Sequence, residues 1–163
     1  MIEIKLGAIA HLDFQVDAIV NAANAALIPG GGVDGALNRA AGPELKQAME
    51  KIGGTTVGSA VITPAFALPA NYVIHAVGPR YIDGKHNEAA LLSAAYEAVF
   101  QFAHEYKLHS LALPVLSSGI YGYPKVDAAK ILYEVANRPE NQHFAMSVIV
   151  FTEEWLSIFE KLK

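Results

Sequence analysis

The sequence predicts an α/β sandwich, with helices on both faces of a mixed sheet. Three observations carry this. Apolar periodicity along the 163 residues switches repeatedly between two and 3.6. Strand-like runs alternate with helical ones, the pattern of layered α/β domains. Strand-like runs also follow one another with no helix between them, early in the chain and around Val57–Val77. That argues against a purely parallel, doubly wound sheet.

In chain order, Ile2–Leu6 and Val16–Val20 read as strands. A short helix over Gly35–Ala41 is followed by one over Pro43–Ile52. Pro43 suits a first helical turn and Gly53 a C-terminal stop. Val57–Thr63 and Tyr72–Val77 are strands apolar on both faces, as sheets covered on both sides require. Glu88–Tyr106 is a long helix whose stripe is Leu91, Ala95, Ala98, Val99 and Phe102. Leu111–Leu116 is a strand, and Val126–Ala136 a helix bounded by Pro124 and Pro139. Met146–Phe151 is the sixth strand. Thr152–Leu162 closes the chain as a helix, with Thr152 as N-cap and Glu153 and Glu154 at the dipole-favoured end.

Composition narrows the function. Apolar residues make up 53% and charged residues 17%, which excludes wholesale disorder. The formal charge of −4 is the reverse of a nucleic-acid-binding balance, so nucleic acid is not an expected partner. The absence of cysteine excludes a disulfide scaffold, a thiolate zinc site and a cysteine nucleophile. The charged N-terminal run Met1–Leu6 is no signal sequence, and no apolar run approaches the ~18–20 residues that span a bilayer. The expectation is one cytoplasmic domain over residues 1–163.

Two glycine clusters point to the ligand. One is Pro29–Gly35 (PGGGVDG), the other Ser117–Pro124 (SSGIYGYP). Each follows a strand and opens onto a helix. Glycine admits close backbone approach and positive φ, and the helix start adds unpaired N–H groups and a positive dipole end. One such loop suggests a phosphate; two suggest a diphosphate held between them. Gly30, Gly32 and Gly35 spell a dinucleotide fingerprint, but nine residues separate Val20 from Gly30, so a nicotinamide dehydrogenase is disfavoured. Ala36 follows Gly35 where a P-loop needs lysine. Asn21 and Asn24 stand at the C-terminal end of a strand, where α/β sheets bind ligands, and their amides suit a hydroxyl-rich one. The alternative is that they shape a turn.

VDAIVNAAN, GGGVDGALNRAAGP, YVIHAVGP and PVLSSGIYGYP follow in order from about Gly7 to Phe151. Together they resemble a macro domain. The resemblance implies a three-layer α/β/α sandwich on a mixed, mostly parallel sheet of about six strands, binding ADP-ribose at the strand C-termini. The GVDG loop resembles the branch that hydrolyses ADP-ribosyl esters, acting on mono-ADP-ribosylated acidic side chains and on O-acetyl-ADP-ribose. By that resemblance Asn24 contacts the distal ribose and Asp34 positions or activates water. Gly31, Gly32 and Val33 brace the distal ribose and a phosphate. Ser117, Ser118, Gly119, Ile120 and Tyr121 form the diphosphate loop, Phe151 lies against adenine, and Ala8, Ile9 and Asn21 complete the binding set. No metal or organic cofactor is implied, and a monomer is expected.

The chemistry is coherent: a carboxylate takes a proton from water and N–H groups stabilise developing charge. Activation of the water by the substrate's own phosphate is the other route. Asp34 also reads as an N-cap for a helix opening at Gly35, and Phe151 as a core residue ending a buried strand. One departure stands out. The family begins Gly-Asp-Ile, where the aspartate bonds the adenine amino group; here Gly7, Ala8 and Ile9 occupy those places. Losing a bond to a charged group, about 1.5–3 kcal/mol, weakens binding about ten- to a hundredfold. Asn38, where histidine is frequent, is a smaller departure. The competing readings are a non-catalytic ADP-ribose module, an ADP-ribose 1″-phosphate phosphatase and an RNA binder.

Other signals carry less. His104 and His109 stand about 140° apart at helical spacing, so they do not share a zinc. His75, in an apolar strand, reads as a satisfied core histidine. Ser117 and Ser118 lack a nucleophile elbow. Of Tyr121 and Tyr123, Tyr121 is the better candidate to line a cleft.

Overall fold

The computed structural model of the chain describes residues 1–163. Six strands form one sheet: β1 (Ile2–Leu6), β2 (Val16–Ala22), β3 (Ala60–Pro64), β4 (Ala70–Ala76), β5 (Ser110–Leu113) and β6 (Ala145–Val150). Their order is β1-β6-β5-β2-β4-β3. All neighbours are parallel except β3, which runs antiparallel to β4. The mixed sheet follows from the short Ala65–Pro69 link between β3 and β4, which has no room for a crossover helix. No helix is long and apolar enough to cross a membrane.

Five helices cover the two faces: α1 (Gly32–Ala41), α2 (Pro43–Ile52), α3 (Glu88–Glu105), α4 (Lys125–Ala136) and α5 (Glu153–Glu160). One core joins Ala18, Val20, Ile74 and Ala76 of the sheet to the buried sides of α3, α4 and α5. The other joins Ile19, Val73 and Val77 to α1, α2 and the 3-10 turn Ile9–His11. Alternation along β2 and β4 thus assigns each residue to one face.

Several expected boundaries move, each for a local reason. β3 starts at Ala60 rather than Val57, because Gly58 takes φ +84° and the Ser59 hydroxyl donates to the Thr56 carbonyl in a preceding turn. β5 stops at Leu113, since Pro114 has no N–H to continue the ladder. β6 ends at Val150, one residue before Phe151. α1 starts at Gly32, three residues early. Its N-cap is Gly31, so Asp34 lies within the first turn and the N-cap reading of Asp34 does not hold. Thr152 occupies the N-cap position of α5, but its side chain makes no capping bond. Pro43 and Gly53 bound α2 as expected.

The long helix turns a different face inward. Leu92, Ala95, Tyr96, Val99, Phe100 and Ala103 are buried, whereas Leu91, Ala98 and Phe102 are only half-buried. α3 gathers Glu97, Gln101, His104 and Glu105 on one exposed arc and is apolar over the broad remainder, so periodicity alone does not fix the centre of its buried stripe. The burial of Tyr96 has a consequence at the sheet end. Its hydroxyl accepts the Leu116 N–H at 2.8 Å and donates to the Pro114 carbonyl at 3.3 Å, pinning the chain as it leaves β5.

Candidate active site

The parallel strands β6, β5, β2 and β4 end on the same side, and the segments that follow them wall a cavity of about 460 Å³. Sheet order sets the order of its parts. Phe151 follows β6, the Ser117–Tyr121 loop follows β5, the Asn24–Asp34 segment follows β2, and Gly78 and Arg80 follow β4. Strands are about 4.8 Å apart, so the ends of β6 and β2 lie ~10 Å apart.

The segment after β2 is built around Asn24. Its amide accepts the Ile28 N–H at 3.1 Å and donates to the Ile28 carbonyl at 2.6 Å, closing the turn that delivers the glycines. Gly35 permits the next step. A Cβ there would sit 2.5 Å from the Gly30 carbonyl oxygen, so only glycine lets the loop lie against α1. With Gly30 so placed, its N–H donates to Asp34 Oδ2 at 3.2 Å. Asn21 and Asn38 each donate to Asp34 Oδ1, at 2.9 and 3.0 Å. The carboxyl is 3% exposed yet lines the cavity. Burial pushes its pKa up, the bonds from Asn21, Gly30 and Asn38 pull it down, and the net direction is up.

The loop after β5 is equally constrained. Ser117 takes φ +65°, and its side chain occupies the space where a Cβ on Gly78 would be. Ser118 donates its hydroxyl to the Val115 carbonyl at 2.6 Å. The Tyr121 carbonyl accepts the Tyr81 N–H at 2.8 Å. The backbone N–H groups of residues 118–121 and 31–34 have no hydrogen-bond partner, and both sets border the cavity. Two runs of free donors, one of them at a helix start, make a strong anion site. The loops also meet: Ile120, 83% exposed, places its Cδ1 3.8 Å from where a Cβ on Gly31 would stand.

One group of side chains able to ligate a metal stands outside the cavity lining. Asp83, His86 and Glu88 cluster beside α3, but Glu88 already accepts N–H bonds from Ile82, Asp83, Gly84 and His86. Burial alone would raise its pKa; those four bonds outweigh it and lower the value to about 2. This group clasps a loop. A second hollow of about 420 Å³, on the flank of α3 near Glu97 and Glu105, touches neither glycine loop.

The model of the macro domain family matches residues 20–132. The chain belongs to the macro domain family. It is 44% identical to O-acetyl-ADP-ribose deacetylase 1 of Pantoea vagans over 155 residues, covering 91% of each protein. A macrodomain of Oceanobacillus iheyensis solved with ADP superposes with a TM-score of 0.91 at 34% identity, over 98% of this chain and 88% of that one. A Trypanosoma brucei macrodomain solved with ADP-ribose gives 0.88 at 32% identity, over 99% and 68%.

Within this macro domain, the sequence-derived residues fall into two groups. Asn24, Gly31, Gly32, Val33 and Asp34 share the cavity with Ser117, Ser118, Gly119, Ile120, Tyr121 and Phe151. Phe151 is 67% exposed, so the core reading of it is set aside. Asn21, Ala8 and Ile9 do not line the cavity. Asn21 is wholly buried beneath Asp34, because its position on β2 shares a face with Ile19, under α1. Ile9 packs in the α1-side core, and Ala8 is exposed at the end of β1. Tyr123 is buried as well, edge-on to Tyr81.

Sequence reasoning gave no role to three residues here. Arg80 is the one cationic side chain in the lining, its guanidinium 5.0 Å from the Tyr121 ring centre. Asn38 bonds Asp34 from one helical turn on, a spacing of four that was legible. Gly78 makes room for Ser117, and nothing local announces that contact.

Proposed function

We propose that this macro domain, acting as a unit over residues 1–163, is a metal-independent hydrolase of ADP-ribosyl esters. Its substrates are O-acetyl-ADP-ribose and mono-ADP-ribosylated acidic side chains. The observation that carries the reading is a buried carboxylate, Asp34, opening into a cavity edged by two runs of unpaired N–H donors. The deacetylase name of the Pantoea vagans relative and the ADP-ribose seen with the Trypanosoma brucei macrodomain support it.

The substrate lies along the order of the strand ends. Adenine stacks on Phe151, the diphosphate takes the N–H groups of residues 118–121 and 31–34, and the distal ribose lies by Asn24 and Asp34. Water attacks the ester carbonyl carbon and gives its proton to Asp34. The carbonyl carbon–ribose oxygen bond then breaks, the ribose oxygen recovers a proton, and the acid leaves. The raised pKa of Asp34 makes it a better base at neutral pH than an exposed aspartate. The protein works as a cytoplasmic monomer.

The test is release of acetate from O-acetyl-ADP-ribose, and of ADP-ribose from a glutamate-linked protein, by wild type and Asp34→Ala. The expected result is wild-type turnover that falls about 10²–10⁴-fold in the variant, the usual contribution of a general base. Undiminished turnover in Asp34→Ala would overturn the assigned mechanism. No turnover by wild type beside measurable ADP-ribose binding would make the protein a reader.

A further inference from the structure

Three buried polar side chains have no part in the hydrolysis described above. Thr63, His75 and Asn21 stand on neighbouring strands β3, β4 and β2, on the face beneath α1, each at most 4% exposed. They form one hydrogen-bonded row that ends on Asp34. Thr63 Oγ1 lies 2.9 Å from His75 Nε2, His75 Nδ1 lies 3.0 Å from Asn21 Nδ2, and that same Nδ2 lies 2.9 Å from Asp34 Oδ1.

The protons in this row have one consistent arrangement when Asp34 is ionised. The Thr63 hydroxyl donates its single proton to the Pro64 carbonyl at 3.0 Å, so its oxygen accepts from His75 Nε2–H. Nδ1 then carries a lone pair and accepts one N–H of Asn21. The second N–H of that amide goes to Asp34. Turning the amide over would aim its oxygen at the Asp34 carboxylate, a repulsive contact. Yet the chosen orientation leaves Asn21 Oδ1 buried without a partner. An unpaired buried acceptor costs stability, and an apolar residue of similar size would avoid it. The row is therefore better explained by what it does to Asp34 than by what it adds to the core.

We propose that His75 is a positioning residue for Asp34. Held as the neutral Nε2–H tautomer, it commits both N–H groups of Asn21, one to itself and one to Asp34 Oδ1, and so fixes the carboxylate facing the cavity. The inference rests on the reading of Asp34 as the general base. Burial lowers the His75 pKa to about 4, which agrees with a neutral ring at working pH.

Two measurements test it, and the first does not depend on turnover. In ¹⁵N long-range correlation spectra of wild-type protein, His75 shows a protonated Nε2 and an unprotonated Nδ1 at neutral pH. A Nδ1–H tautomer or a charged ring there overturns the proposal. The second compares His75→Leu with His75→Gln, whose amide can still accept from Asn21 and donate to Thr63. The expected result is a kcat for O-acetyl-ADP-ribose about tenfold lower in His75→Leu, a modest part of what a general base supplies. KM and ADP-ribose affinity stay within about threefold, and His75→Gln recovers most of the loss. Wild-type kcat in a folded His75→Leu overturns the positioning role while leaving the hydrolase reading intact. Undiminished turnover in Asp34→Ala removes the hydrolase mechanism itself.

Discussion

Replacing Gly35 with alanine tests whether the first glycine loop is shaped by its contact with α1. The new Cβ would lie 2.5 Å from the Gly30 carbonyl oxygen, where ordinary contact begins at 3.4 Å. The carbonyl must therefore retreat by about 0.9 Å, since both partners are backbone and neither can rotate away. Arg39 Nη1, 3.2 Å from the new atom, is the end of a flexible side chain and can yield. The Gly30 N–H already reaches Asp34 Oδ2 at 3.2 Å, and a shift of that size breaks the bond. Alanine in a helix gains about 1 kcal/mol over glycine, and overpacking costs about 1–3 kcal/mol. The net destabilisation is about 0–2 kcal/mol, a Tm loss of at most ~8 °C for a chain of this length. Activity responds more sharply, because a displacement near 1 Å costs about 10²-fold. Thermal melts beside acetate release from O-acetyl-ADP-ribose should show kcat/KM down about 30- to 100-fold in a protein that remains folded. Turnover within about threefold of wild type would refute the claim that Gly35 sets the loop that holds Asp34.

Further outcomes follow from the same structure. Phe151→Ala should weaken ADP-ribose about five- to a hundredfold by titration calorimetry, the worth of ~1–3 kcal/mol of base stacking. Its Tm should barely move, because the ring is 67% exposed; unchanged affinity would remove Phe151 from the adenine end. Ala8→Asp should tighten ADP-ribose about tenfold by supplying a charged hydrogen-bond partner, and equal affinity in the two proteins would place adenine elsewhere. His75 has an ordinary pKa of 6.5 that burial lowers to about 4 in the folded chain. Between those values the unfolded chain binds a proton that the native one refuses, so stability falls as pH drops from 6.5 to about 4. At ~1.4 kcal/mol per unit the loss is about 3 kcal/mol, and it should be missing from urea titrations of His75→Gln. An equal slope in that variant would place the sensitivity on another group.

How much of this was legible depends on distance along the chain. The glycine clusters, Pro43, Gly53 and Asn24 act within a few residues. Their meaning could be read where they stood, and the four motifs in order identified the family. The centre of the α3 stripe was not legible, because its apolar arc is broader than the face that a sheet finally covers. Asn21 stands close to Asn24 along the chain, but its side chain shares the face of Ile19 and is buried beneath α1. The cleft is made where the strand ends, and Asn21 is still inside β2, under α1.

The sequence by itself determined the layered fold and the two glycine loops, with the Asp34 carboxylate inside the first of them. Each of these follows from local backbone preference and from which residues must be buried. Tertiary structure alone decided how that carboxylate is held. Asn21 meets His75 because β2 and β4 pair in parallel with those two residues in register, and Thr63 joins them only because β3 returns antiparallel along β4. Strand register is set by the packing of the whole sheet, so contacts across it are invisible to any reading confined to neighbours in the chain.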